Sequence, residues 1–317
     1  MKILVIQNRM GIGDMVIFLP YIEEISKKFN SPITLLTKES SKAKEYLSNS
    51  NNIEEIIDLK RNSNDDQHQG LIGFFRLIQD LKKFNFDKAF IFNSSVRYNL
   101  ACKFSGVKKI YQYPLLKKSK QHIIDAAKGL LKKINLNIES NPQISIEENL
   151  ISKAKKKFNI NDKQINILLG IGGSGSTKRT PASILIEFMK LSLNNYDCKF
   201  FLATGNKKEE QEILNKIVLN FKEHCTPLNN LSISETLPII KNCKIAICND
   251  TSFSHLSAAL NIPTIVLMCD SPLLYGNYSS KMHPIIPDGM ETVSHNSRGK
   301  EKINPIKIFD KFKNLIK

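Results

Sequence analysis

The stretch Lys244–Pro272, KIAICNDTSFSHLSAALNIPTIVLMCDSP, decides how the chain folds. Ile245–Cys248 is an apolar run of strand length, and the polar residues Asn249, Asp250, Thr251 and Ser252 follow it at once. Ser254–Leu260 has helix composition, and Pro263 leads into a second apolar run, Thr264–Cys269. Strand, polar turn, short helix and strand make a βαβ unit, which calls for a parallel sheet. In open α/β sheets ligands collect where strands end and helices begin. Free amides at a helix start favour an anionic group there, phosphate above all.

The same rhythm extends in both directions. Ile3–Ile6 reads as a central strand, Asn8–Asp14 (NRMGIGD) as a turn with two glycines, and Met15–Phe29 as a helix that Pro20 kinks or restarts. Gly13 leaves room for close backbone approach. Asp14 at the mouth of the turn reads equally as a helix cap or as a base facing an interdomain cleft. Further strands are predicted at 33–37, 53–59, 88–92 and 108–111, with helices at 40–47, 71–84 and 97–104. Asn93 closes the fourth strand on the ligand side, and Arg97 opens the following helix. Lys60–Gly70 is a polar insert in which His68 reads as a solvated loop residue and Asp65-Asp66 as surface. Leu116–Lys133 is basic, then apolar and helical. His122 there reads as an ordinary helix-start residue or as a contact to an anionic acceptor.

The rhythm restarts at Ile165–Leu169. Gly170–Pro181 (GIGGSGSTKRTP) then combines Gly172, Gly173, Ser174, Ser176 and Thr177 with the cations Lys178 and Arg179. Backbone amides and hydroxyls beside a fixed cation suit a phosphate, although the spacing is not that of a P-loop. A helix at 184–193, a strand at 199–203 and a helix at 208–218 follow. Ser232 and Glu235 are spaced as a capping box, and Asn304-Pro305 starts a terminal amphipathic helix able to pack on either domain.

Bulk properties narrow the classes. The 317 residues are 41% hydrophobic, enough for two cores, and the boundary is expected near residue 160. A net charge of +16, from 46 basic and 30 acidic residues, favours an anionic partner. No basic platform interleaved with aromatics appears, so nucleic acid is the weaker class and is not expected. None of the six cysteines forms a CxxC pair, and Cys198, Cys248 and Cys269 lie in strand-like runs, so buried thiols in a reducing, cytoplasmic location are expected. No metal-ligand spacing appears, and no metal or cofactor is expected. No signal-peptide pattern or bilayer-length apolar run is present. Any membrane contact is therefore expected to be peripheral, at the cytoplasmic face of the inner membrane. A monomer is expected.

A cation-bearing glycine loop on one side and a carboxylate on the other suit transfer of a group from a diphosphate to a hydroxyl. Asp14 would take the acceptor proton, and Lys178 with the Thr251-Ser252 amides would steady the leaving phosphate. Asp250 closes a strand, within reach of turn amides or a sugar hydroxyl. His255 alone reads as a packing residue, but its conjunction with Asp250 and the glycine loop favours a functional role.

These motifs resemble glycosyltransferase family 9, the ADP-heptose:lipopolysaccharide heptosyltransferases and their relatives. Gly13-Asp14 followed by Pro20 matches the family's opening motif, Gly170–Pro181 its phosphate-binding loop with Lys178 at the lysine position, and Asn249–His255 with Ala258-Ala259-Leu260 and Pro263-Thr264 its C-terminal signature. The resemblance implies an α/β chain of the GT-B fold, two Rossmann-like domains facing each other across a cleft, 1–160 for the acceptor and 161–317 for the nucleotide sugar. It implies inverting, metal-independent transfer, with Asp14 and Lys178 catalytic. Gly172, Gly173, Ser174, Ser176, Thr177, Asp250, Thr251, Ser252 and His255 would hold the donor, ADP-heptose, while Gly13, Asn93, Arg97 and His122 are candidate contacts to a lipopolysaccharide-core or related anionic glycan acceptor. A GT-B enzyme with another nucleotide sugar (an epimerase or a protein glycosyltransferase) and an inactive nucleotide-binding protein are the alternatives. Ser252 replaces the usual Gly, Thr180 the usual Trp, and Cys269–Pro272 an expected Phe-Gly start.

Overall fold

The computed structural model describes residues 1–9, 11–61, 66–114, 122–138 and 141–317. The basic run 116–121 and Asp65 lie outside the described residues. The chain divides into two compact units, Met1–Pro142 and Gln143–Lys317.

The first unit runs β1 (Ile3–Gln7), α1 (Ile12–Phe29), β2 (Ile33–Lys38), α2 (Lys44–Leu47), β3 (Ile53–Leu59), α3 (Gly70–Lys82), β4 (Lys88–Ile91), α4 (Val96–Phe104), β5 (Lys109–Gln112) and α5 (Ile123–Lys132). Its five strands form an all-parallel sheet of order β3-β2-β1-β4-β5. Ile3–Gln7 are all buried because β1 is covered on both faces, as central parallel strands are. Leu4, Ile6 and Leu36 pack with Leu77, Leu81 and Tyr98 from α3 and α4 on one face. The chain leaves β1 in one direction, through β2 and β3, and returns on the other side as β4. The strand order therefore reverses between β1 and β4.

Helix α1 begins at Ile12, earlier than the apolar pattern indicates, so Gly13 and Asp14 belong to its first turn. Pro20 lies inside it without ending it, leaving the Val16 carbonyl without its usual helical donor. His68 is not solvated. It is 3% exposed, its Nδ1 accepts from the Lys60 amide at 3.1 Å and its Nε2 faces Asp80 at 3.2 Å. The second half of the insert is thereby folded onto α3. That contact explains Gly73, where a Cβ would lie 2.3 Å from the His68 carbonyl carbon and 2.8 Å from the Gln67 oxygen. Gly73→Ala normally adds helix propensity of about 1 kcal/mol. Here backbone stands in the way, and the substitution is expected to destabilise the fold by about 1–3 kcal/mol in urea unfolding.

The second unit runs α6 (Glu148–Lys157), β6 (Ile165–Gly170), α7 (Ala182–Leu193), β7 (Cys198–Ala203), α8 (Lys208–Phe221), β8 (Cys225–Pro227), α9 (Ile233–Lys241), β9 (Ile245–Asn249), α10 (Ser252–Ala259), β10 (Thr264–Leu267), β11 (Met282–Ile285) and α11 (Pro305–Ile316). Its sheet is also parallel throughout, of order β11-β10-β9-β6-β7-β8. The reversal falls between β6 and β9. β8, only three residues long, has too little apolar signal to be read from sequence.

The units divide after Pro142, not near residue 160. Residues 143–160 pack on the second unit: the Ile144 amide donates to Ala259 at 2.9 Å, and Asn242 Nδ2 donates to the Ile151 carbonyl at 3.1 Å. The terminal helix α11 packs there too, with Phe312 edge-on to Phe188 at 5.8 Å and Ile308 fully buried. The capping boxes and caps behave as the sequence indicates: Ser232 and Glu235 bond reciprocally, and Asn304 accepts from the Ile306 amide. Cys198, Cys248 and Cys269 are buried and free, and burial pushes the Cys248 thiol up to about 12.

Candidate active site

In the second unit, the loops that follow β6 and β9 rise on either side of the strand-order reversal, with Gly170 paired to Cys248 in register. This is where an open parallel sheet leaves a crevice. Asn249, the last residue of β9, fastens the two loops together. Its Nδ2 donates to the carbonyls of Ile171 (3.1 Å) and Gly172 (3.0 Å). Its Oδ1 accepts from the Thr180 amide (3.2 Å) and hydroxyl (2.7 Å). Thr180, buried and also 3.5 Å from Cys269 Sγ, thus anchors the loop end where an aromatic ring was the expected residue. Asn249→Ala leaves buried carbonyls and the Thr180 donors without partners. An expected stability loss of about 2–4 kcal/mol would appear as a lowered urea midpoint.

Asp250 is 8% exposed and surrounded by donors. Lys178 Nζ reaches Oδ2 at 3.0 Å, Ser271 Oγ donates to the same oxygen at 2.5 Å, and His255 Nε2 lies 3.6 Å from Oδ1. Burial alone would raise this carboxyl. His255, Lys178 and Ser271 overcome that and hold it well below the usual carboxylate range. On the far side of the imidazole, His255 Nδ1 lies 2.8 Å from the Tyr278 hydroxyl, with the two rings stacked. Burial lifts the Tyr278 hydroxyl well above its ordinary value, so it stays protonated. The imidazole is thus held from both sides, Nε2 toward the Asp250 carboxylate and Nδ1 toward the Tyr278 hydroxyl. The chain Tyr278–His255–Asp250–Lys178 fixes the orientation of one cation at the crevice.

Thr251 caps α10: its hydroxyl accepts from the Phe253 amide at 3.3 Å, and Ser254 completes the capping box. Ser252 occupies the first helical turn, half-exposed. In the β6 loop, Ser174 and Ser176 are exposed, while Gly172 and Gly173 are buried. These glycines admit neighbouring side chains. A Cβ at Gly172 would lie 2.9 Å from Glu210 Oε1, and one at Gly173 would lie 2.9 Å from Arg179 Cγ. The Gly173 amide donates to Glu210 Oε1 at 2.8 Å. Arg179, read as a second diphosphate cation, is folded inward: its Nε donates to the Gly173 carbonyl at 3.3 Å and its Nη1 faces Glu209 at 3.6 Å. The Thr177 hydroxyl bonds Asp270, whose carboxylate also accepts from the Arg298 amide at 2.8 Å. Glu210, Asp270, Ser271 and Tyr278 carried no motif signal, because each reaches the loops only after the sheet has formed.

The first unit holds the other candidates, again at its strand-order reversal. Asn93 Nδ2, after β4, donates to Asn8 Oδ1, after β1, at 3.2 Å. Asp14 accepts from Arg9 Nε at 2.7 Å, and the two side chains are 23% and 41% exposed. Asp14 stands in the first turn of α1, where a carboxylate complements the helix start, and its side chain pairs with Arg9. Arg9 was not singled out by sequence. His122 caps α5 by accepting from the Ile124 amide at 3.3 Å. Burial lowers its pKa, with Asp125 opposing and the charge of Arg9 assisting. Arg97 is turned elsewhere: its Nη2 donates to the His68 carbonyl at 2.8 Å and its guanidinium lies over Phe74 at 5.2 Å. Among the described residues, no cluster of three or more His, Cys, Asp or Glu side chains has the arrangement of a metal site.

Two parallel-stranded Rossmann-like units, each with polar loops at its reversal point, define a doubly wound class of fold whose ligands collect at those points. The sequence pattern of glycosyltransferase family 9 (heptosyltransferase) matches residues 76–302, and the chain belongs to that family. It is 27% identical over 148 residues to lipopolysaccharide heptosyltransferase 1 of Campylobacter coli, a match covering 46% of this chain and 43% of that protein, so it spans less than half of that relative. Its fold matches that of E. coli ADP-heptose lps heptosyltransferase II with a TM-score of 0.76 at 20% identity, over 100% of this chain and 98% of that one. It also matches an E. coli heptosyltransferase solved with ADP, with a TM-score of 0.72 at 16% identity, over 99% and 100% of the two chains. The fold is GT-B.

Proposed function

We propose that the protein is an inverting glycosyltransferase that moves a heptose from ADP-heptose to a lipopolysaccharide-core or related anionic glycan. The observation that carries it is the Lys178 ammonium, fixed by buried Asp250 beside the β6 loop and the start of α10. An incoming diphosphate shares that ammonium with Asp250 and takes the amides of the first turn of α10. The acceptor hydroxyl oxygen attacks the anomeric carbon, the bond from that carbon to the phosphate oxygen breaks, and ADP departs with the electron pair. Asp14 receives the hydroxyl proton, and Lys178 neutralises the charge gathering on the leaving phosphate. Asp250 and His255 face the donor sugar, Ser252 and Thr251 the phosphates, and Asn93 and His122 the acceptor. The family's known heptosyltransferases and the ADP held by one solved relative support the choice of base and sugar.

A thermal-shift panel of ADP-, UDP- and GDP-sugars tests the donor. ADP-heptose at a hundred times its dissociation constant stabilises the fold by about 2.7 kcal/mol, and the other bases are expected to shift it far less. No shift with any ADP-sugar would sink the donor assignment. Transfer in excess EDTA is expected to continue unchanged, since Lys178 carries the role a cation would fill. A free epimerised nucleotide sugar as sole product would instead support the epimerase reading.

A further inference from the structure

Ten large apolar side chains stand exposed among the described residues, and six of them lie on the adjacent helices α3 and α4. On α4, Val96, Leu100 and Phe104 are spaced i, i+4, i+8 and form one stripe, Phe104 being 63% exposed. On α3, Leu71 (79%), Ile72 (72%) and Phe75 (62%) occupy the first turns. The rings of Phe74 and Phe104 meet at 6.5 Å and those of Phe74 and Phe75 at 5.6 Å, joining the two stripes. The opposite faces already serve the core through Leu77, Leu81, Ala101 and Cys102. These helices are therefore apolar on two sides, which packing inside the unit does not require.

The charges carried by the exposed faces of the two helices are mainly positive. Arg76 and Lys103 are exposed within it. Helix α4 carries no acid, and the one acid of α3, Asp80, is held by Lys83 at 2.7 Å and His68 at 3.2 Å. Protruding Leu, Ile and Phe side chains with Lys and Arg at their sides are the make-up of a face that settles into the headgroup layer of an anionic bilayer. Interfaces between proteins are depleted of Lys at their centre. A two-fold contact between copies would bring two patches of the same positive charge together.

We propose that the outer face of α3 and α4 is a membrane-docking surface that binds anionic phospholipid. The inference rests on this surface alone and is independent of the sugar-transfer reading, so its test reads no transfer.

The full chain is incubated with sedimentable vesicles of phosphatidylethanolamine and phosphatidylglycerol, and separately with phosphatidylcholine alone. Binding to the anionic vesicles is expected, falling with salt. It should drop about tenfold in Leu71→Ser/Phe75→Ser and in Arg76→Glu/Lys103→Glu. The chain has no Trp, so Phe75→Trp supplies a reporter that needs no destabilising change. Its emission is expected to shift to the blue, and to be quenched by brominated lipid, only with anionic vesicles. Three results overturn the proposal: no vesicle binding, binding undiminished in the apolar variant, or an indole emission from the Phe75→Trp variant unmoved by lipid. A wild-type dimer that the apolar variant converts to monomer, with vesicle binding unaltered, would assign the patch to a second copy instead.

Discussion

Asp14→Asn is expected to lower turnover by about 10²–10⁴-fold, the usual contribution of a general base, while affinity for ADP stays within about twofold. Asparagine preserves the shape and cannot accept the acceptor's proton. The nucleotide contacts proposed here belong to the second unit, so binding and turnover should separate cleanly. Stability should hardly change, because the lost partner is Arg9 in an exposed pair (Arg9 is 41% exposed), and such pairs contribute about 0–1 kcal/mol. Steady-state kinetics beside calorimetric titration with ADP makes the comparison. Unchanged turnover would remove Asp14 from the mechanism. An equal loss of affinity and turnover would make it a binding residue.

Asp250→Ala carries the second large effect, and it falls on the fold as well as the chemistry. The substitution strips the shared acceptor from Lys178 and Ser271 and removes the partner of His255. Breaking a buried ion pair from one side costs about 3–5 kcal/mol, so the thermal midpoint should fall by several degrees. Asp250→Asn keeps the volume and one acceptor oxygen, and should cost less stability while still freeing Lys178. The sign of the pH dependence follows from the depressed carboxyl. A group whose folded pKa is lowered contributes its stability in full above its unfolded value of about 3.9. That contribution fades as pH falls from there toward the folded value. The stability gap between wild type and Asp250→Asn should therefore be constant near neutrality and narrow below about pH 4. A gap that persists at lower pH would assign the stabilisation to shape rather than charge.

Sequence and structure divide the site unevenly. The alternation of apolar runs and amphipathic stretches determined both Rossmann-like units, because parallel strands buried on both faces need continuous apolar runs. Local chemistry was equally legible. Ser232, Asn304 and His122 stand at helix starts as read and cap them within three residues of themselves, and Lys178 and Asp250 stood out by motif. Short local signals failed where apolar content was small, as at β8, and at the interdomain crossing, where the polar run 159–164 looked more like a boundary than Pro142 did.

What the chain could not reveal alone was which polar groups are already spoken for. Arg179 reads as a phosphate ligand, yet Gly173 and Glu209 hold it. His68 reads as solvent-facing, yet a backbone amide and Asp80 enclose it. Asp250 reads as a sugar contact, and only the fold shows that Ser271, 21 residues on, and Lys178, 72 residues back, share one of its oxygens. Hydrogen bonds act over about 3 Å, whereas sequence signals act over a few positions. A side chain's local neighbours can set its helix or its cap. Its partner across the strand-order reversal, and with it the charge left for a ligand, exists only once the sheet has brought distant loops to the same edge.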